Sequence, residues 1–99
     1  MKVIVGKNDS GKTRELIKQS LDRGIPIFAL YEGKAESLRT KSISYFGKAV
    51  QVVTPQDFAF GNYRGDILVD DMEKAFTALL ADYIRTTGFN IVTATVTDD

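Results

Sequence analysis

Residues Gly6–Thr13 read GKNDSGKT. They follow the apolar run Val3–Val5 and precede a segment in which Leu16, Ile17 and Leu21 recur at helical spacing. A strand, a glycine-bracketed turn and a helix therefore come in that order, which is the start of an α/β fold. The stretch matches the pattern G-x-x-x-x-G-K-[ST], and a random match at any one position is on the order of 10⁻⁵.

The spacing has a physical reading. Gly6 and Gly11 permit backbone angles and close approaches that a Cβ would hinder. Successive backbone N–H groups of such a loop, Asn8, Asp9 and Ser10 included, point inward and cradle phosphate oxygens. The helix that starts near Gly11 adds uncapped N–H groups and the positive end of its dipole. Lys12 is placed to reach the β- and γ-phosphates, and the Thr13 hydroxyl to reach Mg²⁺. Arg14, in the first helical turn, is a further candidate to approach a nucleotide. Asp9 brings a negative charge and is expected to turn outward.

Outward from this loop, strand-like and helix-like segments alternate. The expected strands are Lys2–Val5, Ile25–Tyr31, Ala49–Val53, Asp66–Asp70 and Asn90–Val96. A helix is expected from Gly11 to Arg23, with Gly24 as a left-handed stop. A weaker pattern of Ala35, Leu38 and Ser42 predicts a helix over 34–42 and an irregular turn after it. Thr54, Pro55 and Asp57 read as the cap, first position and first turn of a short helix. Met72, Ala75, Phe76, Leu79, Leu80, Tyr83 and Ile84 give the clearest helical periodicity in the chain. Alternation of this kind predicts a parallel sheet with right-handed crossovers. The strands are continuous apolar runs, as expected of strands covered on both faces.

Composition narrows the chemistry. The 99 residues carry 13 Lys/Arg and 13 Asp/Glu, with no Cys and no His. One domain, residues 1–99, fits this length. Disulfides, thiolate or imidazole metal sites and imidazole acid–base catalysis are excluded. Zero net charge argues against a surface built chiefly for nucleic acid. The halves differ, however: residues 1–50 hold ten basic and five acidic side chains, and residues 51–99 hold three and eight. No apolar run approaches the ~20 residues of a membrane helix. Met1 leads straight into a strand-like segment without a targeting pattern, so the expected location is cytoplasmic.

The second half of the candidate site is DILVDDM, residues 66–72. Strand ends in a parallel sheet gather at one edge, so Asp70 is expected to emerge beside the loop and hold Mg²⁺. The competing reading makes Asp70 or Asp71 a helix cap.

Taken together, these motifs resemble the P-loop NTPase superfamily, with Gly6–Thr13 as Walker A and Ile67–Asp71 as Walker B. More narrowly, their order is similar to the RecA-like core of helicases and related ATPases. The resemblance implies a three-layer sandwich around a five-stranded parallel sheet of order 1-5-4-3-2, with Ile25–Tyr31 at the edge, in agreement with Pro26. It implies ATP and Mg²⁺ as ligands, with Lys12 and Asp71 as catalytic groups and Asp71 polarising the attacking water. It also makes Thr93 and Thr95, in the strand Val92–Val96 (VTATV), candidate γ-phosphate sensors.

Two departures stand beside it. Asp71 occupies a position where such enzymes usually carry Glu, one methylene longer, and misplacement by 1 Å can cost about 10²-fold in rate. No arginine is marked as a finger, which points to a protein partner or self-assembly for full hydrolysis. Slow or partner-dependent ATP hydrolysis is thus the leading expectation. A non-catalytic interaction module and a small-molecule kinase are the alternatives. The segment Lys34–Lys48, with Tyr45 and Phe46, reads as a solvated helix face or, less directly, as a contact for nucleic acid or a partner. No guanine-reading N-K-x-D segment is present, so the base preference stays open.

Overall fold

The computed structural model describes residues 2–6, 11–59, 65–71 and 90–97. The periodic segment from Met72 to Ile84 lies outside the described residues, as do Asn8, Asp9 and Ser10. The elements are β1 (Lys2–Gly6), α1 (Lys12–Arg23), β2 (Ile27–Phe28), α2 (Glu32–Phe46), β3 (Val52–Val53), α3 (Pro55–Ala59), β4 (Asp66–Val69) and β5 (Asn90–Thr97). All strand pairs are parallel.

The sheet order is β1-β5-β4-β2-β3, which corrects the expected 1-5-4-3-2. β2 is an interior strand and β3 takes the edge. Pro26 led to the opposite expectation because proline cannot donate to a ladder. It stands just ahead of β2, where only its acceptor is used: the Leu68 N–H donates to the Pro26 carbonyl at 2.9 Å. The donors that β2 presents to its other neighbour are Ile27 and Ala29, bonded to Gln51 and Val53 carbonyls at 3.0 and 2.8 Å.

Residue alternation sorts the side chains onto two faces. Ile27, Ala29 and Leu68 pack with Leu16 and Ile17 of α1 and Ala35 and Leu38 of α2. Phe28, Val53, Ile67, Val69 and Ala94 turn to the other face and are buried there too. Burial on both faces accounts for the lack of polar alternation in these strands. Right-handed crossovers send the β1–β2 and β2–β3 connections over the same face, and α1 and α2 do pack on each other.

α1 and α2 end on the same device. Gly24 and Gly47 adopt left-handed φ of 68° and 78°, and their N–H groups close the last turns on Ser20 and Ile43 carbonyls. An inward serine then ties each helix to the chain beyond it: Ser20 donates to the Ile25 carbonyl and Ser42 to the Lys48 carbonyl. α2 runs 15 residues, from Glu32 through Phe46, well past the expected 34–42. Its last turns leave Ile43 and Tyr45 exposed, so apolar periodicity fades there while the helix continues. α3 begins as the sequence suggests, with the Thr54 N–H and hydroxyl both donating to Asp57 Oδ2 at 2.8 and 3.2 Å.

β5 carries an irregularity that matters for the site. Ile67 pairs with Ile91, but Leu68 pairs with Thr93, leaving Val92 as an extra residue. Such a bulge flips the facing of everything after it. Val92 packs with the α1/α2 core. Thr93 and Thr95, in register with Leu68 and the position after Val69, then share that face instead of opposing it.

Candidate functional site

Gly11 is the cap of α1 at a left-handed φ of 87°, and among the described residues no atom would meet a Cβ there, so glycine is needed for its backbone. No side chain caps this helix start, and the first helical bond runs from the Glu15 N–H to the Gly11 carbonyl. Gly11 itself has no side chain with which to cap the first N–H groups of α1. Gly6 ends β1 in register with Thr97, at the same edge. Lys12 follows as the first helical residue and is buried, at 7% exposure.

Thr13 and Asp70 meet at this edge. The Thr13 hydroxyl lies 3.2 and 3.3 Å from the two carboxylate oxygens of Asp70. Thr95 donates to Asp70 Oδ1 at 2.5 Å. The same hydroxyl accepts from the Asp71 N–H at 2.9 Å. Asp70 thus lies where α1, β4 and β5 converge, which is the place the sequence assigned to it.

The structure adds a residue that sequence reasoning missed as part of this site. Lys34, in the first turns of α2, places its ammonium 2.9 Å from Asp70 Oδ2 and 3.4 Å from Asp71 Oδ2. The corrected strand order explains it. With β2 beside β4, the helix that leaves β2 starts next to Asp70. In the order 1-5-4-3-2, β3 would separate them. The available signal was position: a lysine just after a strand end lies on the edge where all the strand ends gather.

The electrostatics follow from burial and partners. Burial of Asp70 alone would raise its pKa. The Thr95 hydrogen bond, the Lys34 ammonium and the Thr13 hydrogen bond outweigh it and hold the carboxyl below its ordinary value of 3.8. Lys34 is shifted up from 10.5: burial opposes its charge, but Asp70 and then Asp71 more than compensate. The side chain of Asp70 is 1% exposed and that of Lys34 is 24% exposed. The pair is ionised, with the lysine on the solvent side.

Asp71 has φ of +54°, the one described non-glycine residue in the left-handed region. Asp and Asn tolerate that conformation better than longer side chains. The backbone therefore gives a reason for Asp where the resemblance expects Glu.

Other candidates lie apart from this cluster. Arg14 is exposed. Its guanidinium sits 5.6 Å from the ring centroids of both Tyr45 and Phe46, on α2. Thr93 is fully buried two residues below Thr95, about 6.6 Å along the strand, and its hydroxyl has no partner among the described residues. At the same sheet edge, Leu30–Glu32 and Thr54–Gln56 line a crevice of about 230 Å³ between the ends of β2 and β3.

Oxygen ligands only, from Thr13, Asp70 and Asp71, suit a hard cation such as Mg²⁺, which takes one or two carboxylates and completes its shell with water and phosphate oxygens. Among the described residues no group of three or more His, Cys, Asp or Glu forms an all-protein cage. No described helix is long and apolar enough to cross a membrane. Comparison with known proteins found no matching family model, no matching curated protein and no matching solved structure, so the geometry of this sheet edge carries the functional argument.

Proposed function

We propose that the chain binds a nucleoside triphosphate, ATP in the first instance, together with Mg²⁺, and hydrolyses it slowly or with a partner's help. The observation that carries the reading is the meeting of Thr13 and Asp70, 57 positions apart, within 3.2 Å at the C-terminal edge of a parallel sheet. On this reading the sheet is the centre of a three-layer P-loop-type sandwich. Loop amides, the α1 N-terminus and Lys12 hold the phosphates. Thr13 and Asp70 hold the metal, directly or through water. Bound Mg²⁺ would supply charge neutralisation of the phosphates. Thr95 fixes the rotamer of Asp70 by its hydrogen bond and holds Asp71 through the backbone.

One observation favours a second reading, a binding module without turnover. The carboxylate expected to orient the attacking water, Asp71, pairs with Lys34. Unless Lys34 moves, that oxygen does not orient water, and binding without phosphate release is the outcome. Calorimetry with ATP, GTP and ADP, with wild type and Lys12→Ala, tests the proposal. Binding by wild type and its loss in the variant are expected. Absence of binding by wild type refutes it.

A further inference from the structure

Lys34 bridges the two carboxylates in the position a cation would take. Its ammonium touches one oxygen of Asp70 and one of Asp71. The other oxygen of Asp70 receives the Thr95 hydroxyl, and Thr13 spans both. Every donor to Asp70 is thus a group of this chain. A metal ion that bridges Asp70 Oδ2 and Asp71 Oδ2 directly takes the place that Lys34 holds.

The two partners differ in freedom. The Asp70 side chain is 1% exposed and fixed by two hydroxyls, whereas Lys34 is 24% exposed on a flexible four-carbon stem. Displacement therefore moves the lysine and leaves the carboxylate in place. Two adjacent anions facing one ammonium also retain a negative charge, which a divalent ion neutralises and a monovalent one does not.

We infer that Lys34 is a built-in placeholder cation: it occupies the Asp70–Asp71 pair in the metal-free protein, competes with the divalent ion for it, and so sets the metal affinity of the site. The inference rests on the metal-site reading above and extends it to a residue on α2. Its consequence is a guarded site. The buried carboxylate is never left unneutralised, and Lys34 swings free only when the metal arrives.

Lys34→Gln removes the competitor, and Mn²⁺ binding without nucleotide, followed by the electron spin resonance of the free ion, is expected to tighten about tenfold or more. Lys34→Arg keeps a cation and should retain wild-type affinity. The Gln variant should also lose thermal stability and regain it in millimolar Mg²⁺. If Lys34→Gln does not fold, wild type alone decides: Mg²⁺ should shift the Lys34 ε-methylene resonances. Unchanged Mn²⁺ affinity in a folded Gln variant, or Lys34 resonances that stay still at saturating Mg²⁺, overturns the inference. Both measurements omit nucleotide. Failure to bind ATP thus defeats the proposed function without touching this result, and ATP–Mg²⁺ binding beside an unmoved Lys34 defeats this inference alone.

Discussion

Lys34 Nζ lies 2.9 Å from Asp70 Oδ2 because β2, and not β3, is the neighbour of β4. The contact joins the start of α2 to the end of β4 and makes the candidate site a junction of four elements: α1, α2, β4 and β5. Strand order thereby decides which charges the site contains.

Among the described residues, Asp70→Asn leaves the Lys34 ammonium with Asp71 as its one carboxylate partner. Removing one member of a fully buried pair costs about 3–5 kcal/mol, and the partial exposure of Lys34 reduces this to about 2–3 kcal/mol. Chemical denaturation of wild type and variant measures it, and a change below about 0.5 kcal/mol would mean that the pair contributes nothing.

The pH dependence follows from the same contacts. Asp70 is depressed in the folded state, so its contribution is fully present above the unfolded value of about 3.8 and is lost as pH falls through the lower folded value. Lys34 is raised, so its contribution is present below about 10.5 and is lost as pH rises through the higher folded value. Stability curves should therefore fall at both ends. Asp70→Asn should flatten the acid limb and Lys34→Gln the alkaline limb. Unchanged limbs in these variants would contradict the assignment.

Thr93 and Thr95 separate on a matched substitution. Thr95→Val deletes the donor to Asp70 and the acceptor for the Asp71 N–H, at a cost of about 1–3 kcal/mol. Thr95→Ser should recover most of it. Thr93→Val removes a buried hydroxyl without a partner among the described residues and should be neutral or stabilising by up to about 1 kcal/mol. Thermal denaturation of the three variants checks the contrast. Equal losses at both positions would deny Thr95 its special place.

Asp71 gives a backbone prediction. Asp71→Ala puts a residue without local hydrogen-bonding capacity into the left-handed region and discards the Lys34 contact, costing about 1–2 kcal/mol. Asp71→Asn keeps the tolerance for that conformation and should cost less. A ranking with Ala above Asn in denaturant midpoint would refute the conformational argument.

Much of this architecture was legible in the sequence because it rests on local chemistry. The strand segments are mostly apolar, Gly24 ends α1, and Thr54 with Asp57 starts α3. The meeting of Thr13 with Asp70 was legible because parallel strand ends share an edge whatever their order. The order was not, since a crossover connection carries no record of how many strands it passes. Pro26 misdirected it because a proline just ahead of a strand leaves the strand's own donors, Ile27 and Ala29, free to pair. The bulge at Val92 was hidden as well: Asn90–Thr97 contains no glycine to mark it, yet it turns Thr95 toward Asp70. Lys34 was missed as a result of the order and not of its own residue type.

The most direct measurement of the central claim is the Mg²⁺ dependence of ATP binding by wild type and Asp70→Asn, followed by calorimetry. The account predicts that Mg²⁺ strengthens ATP binding to wild type about tenfold or more and adds little to Asp70→Asn, while both retain weak metal-free binding through the loop and Lys12. An equal Mg²⁺ effect on the two proteins would contradict the assignment of Asp70 to the metal.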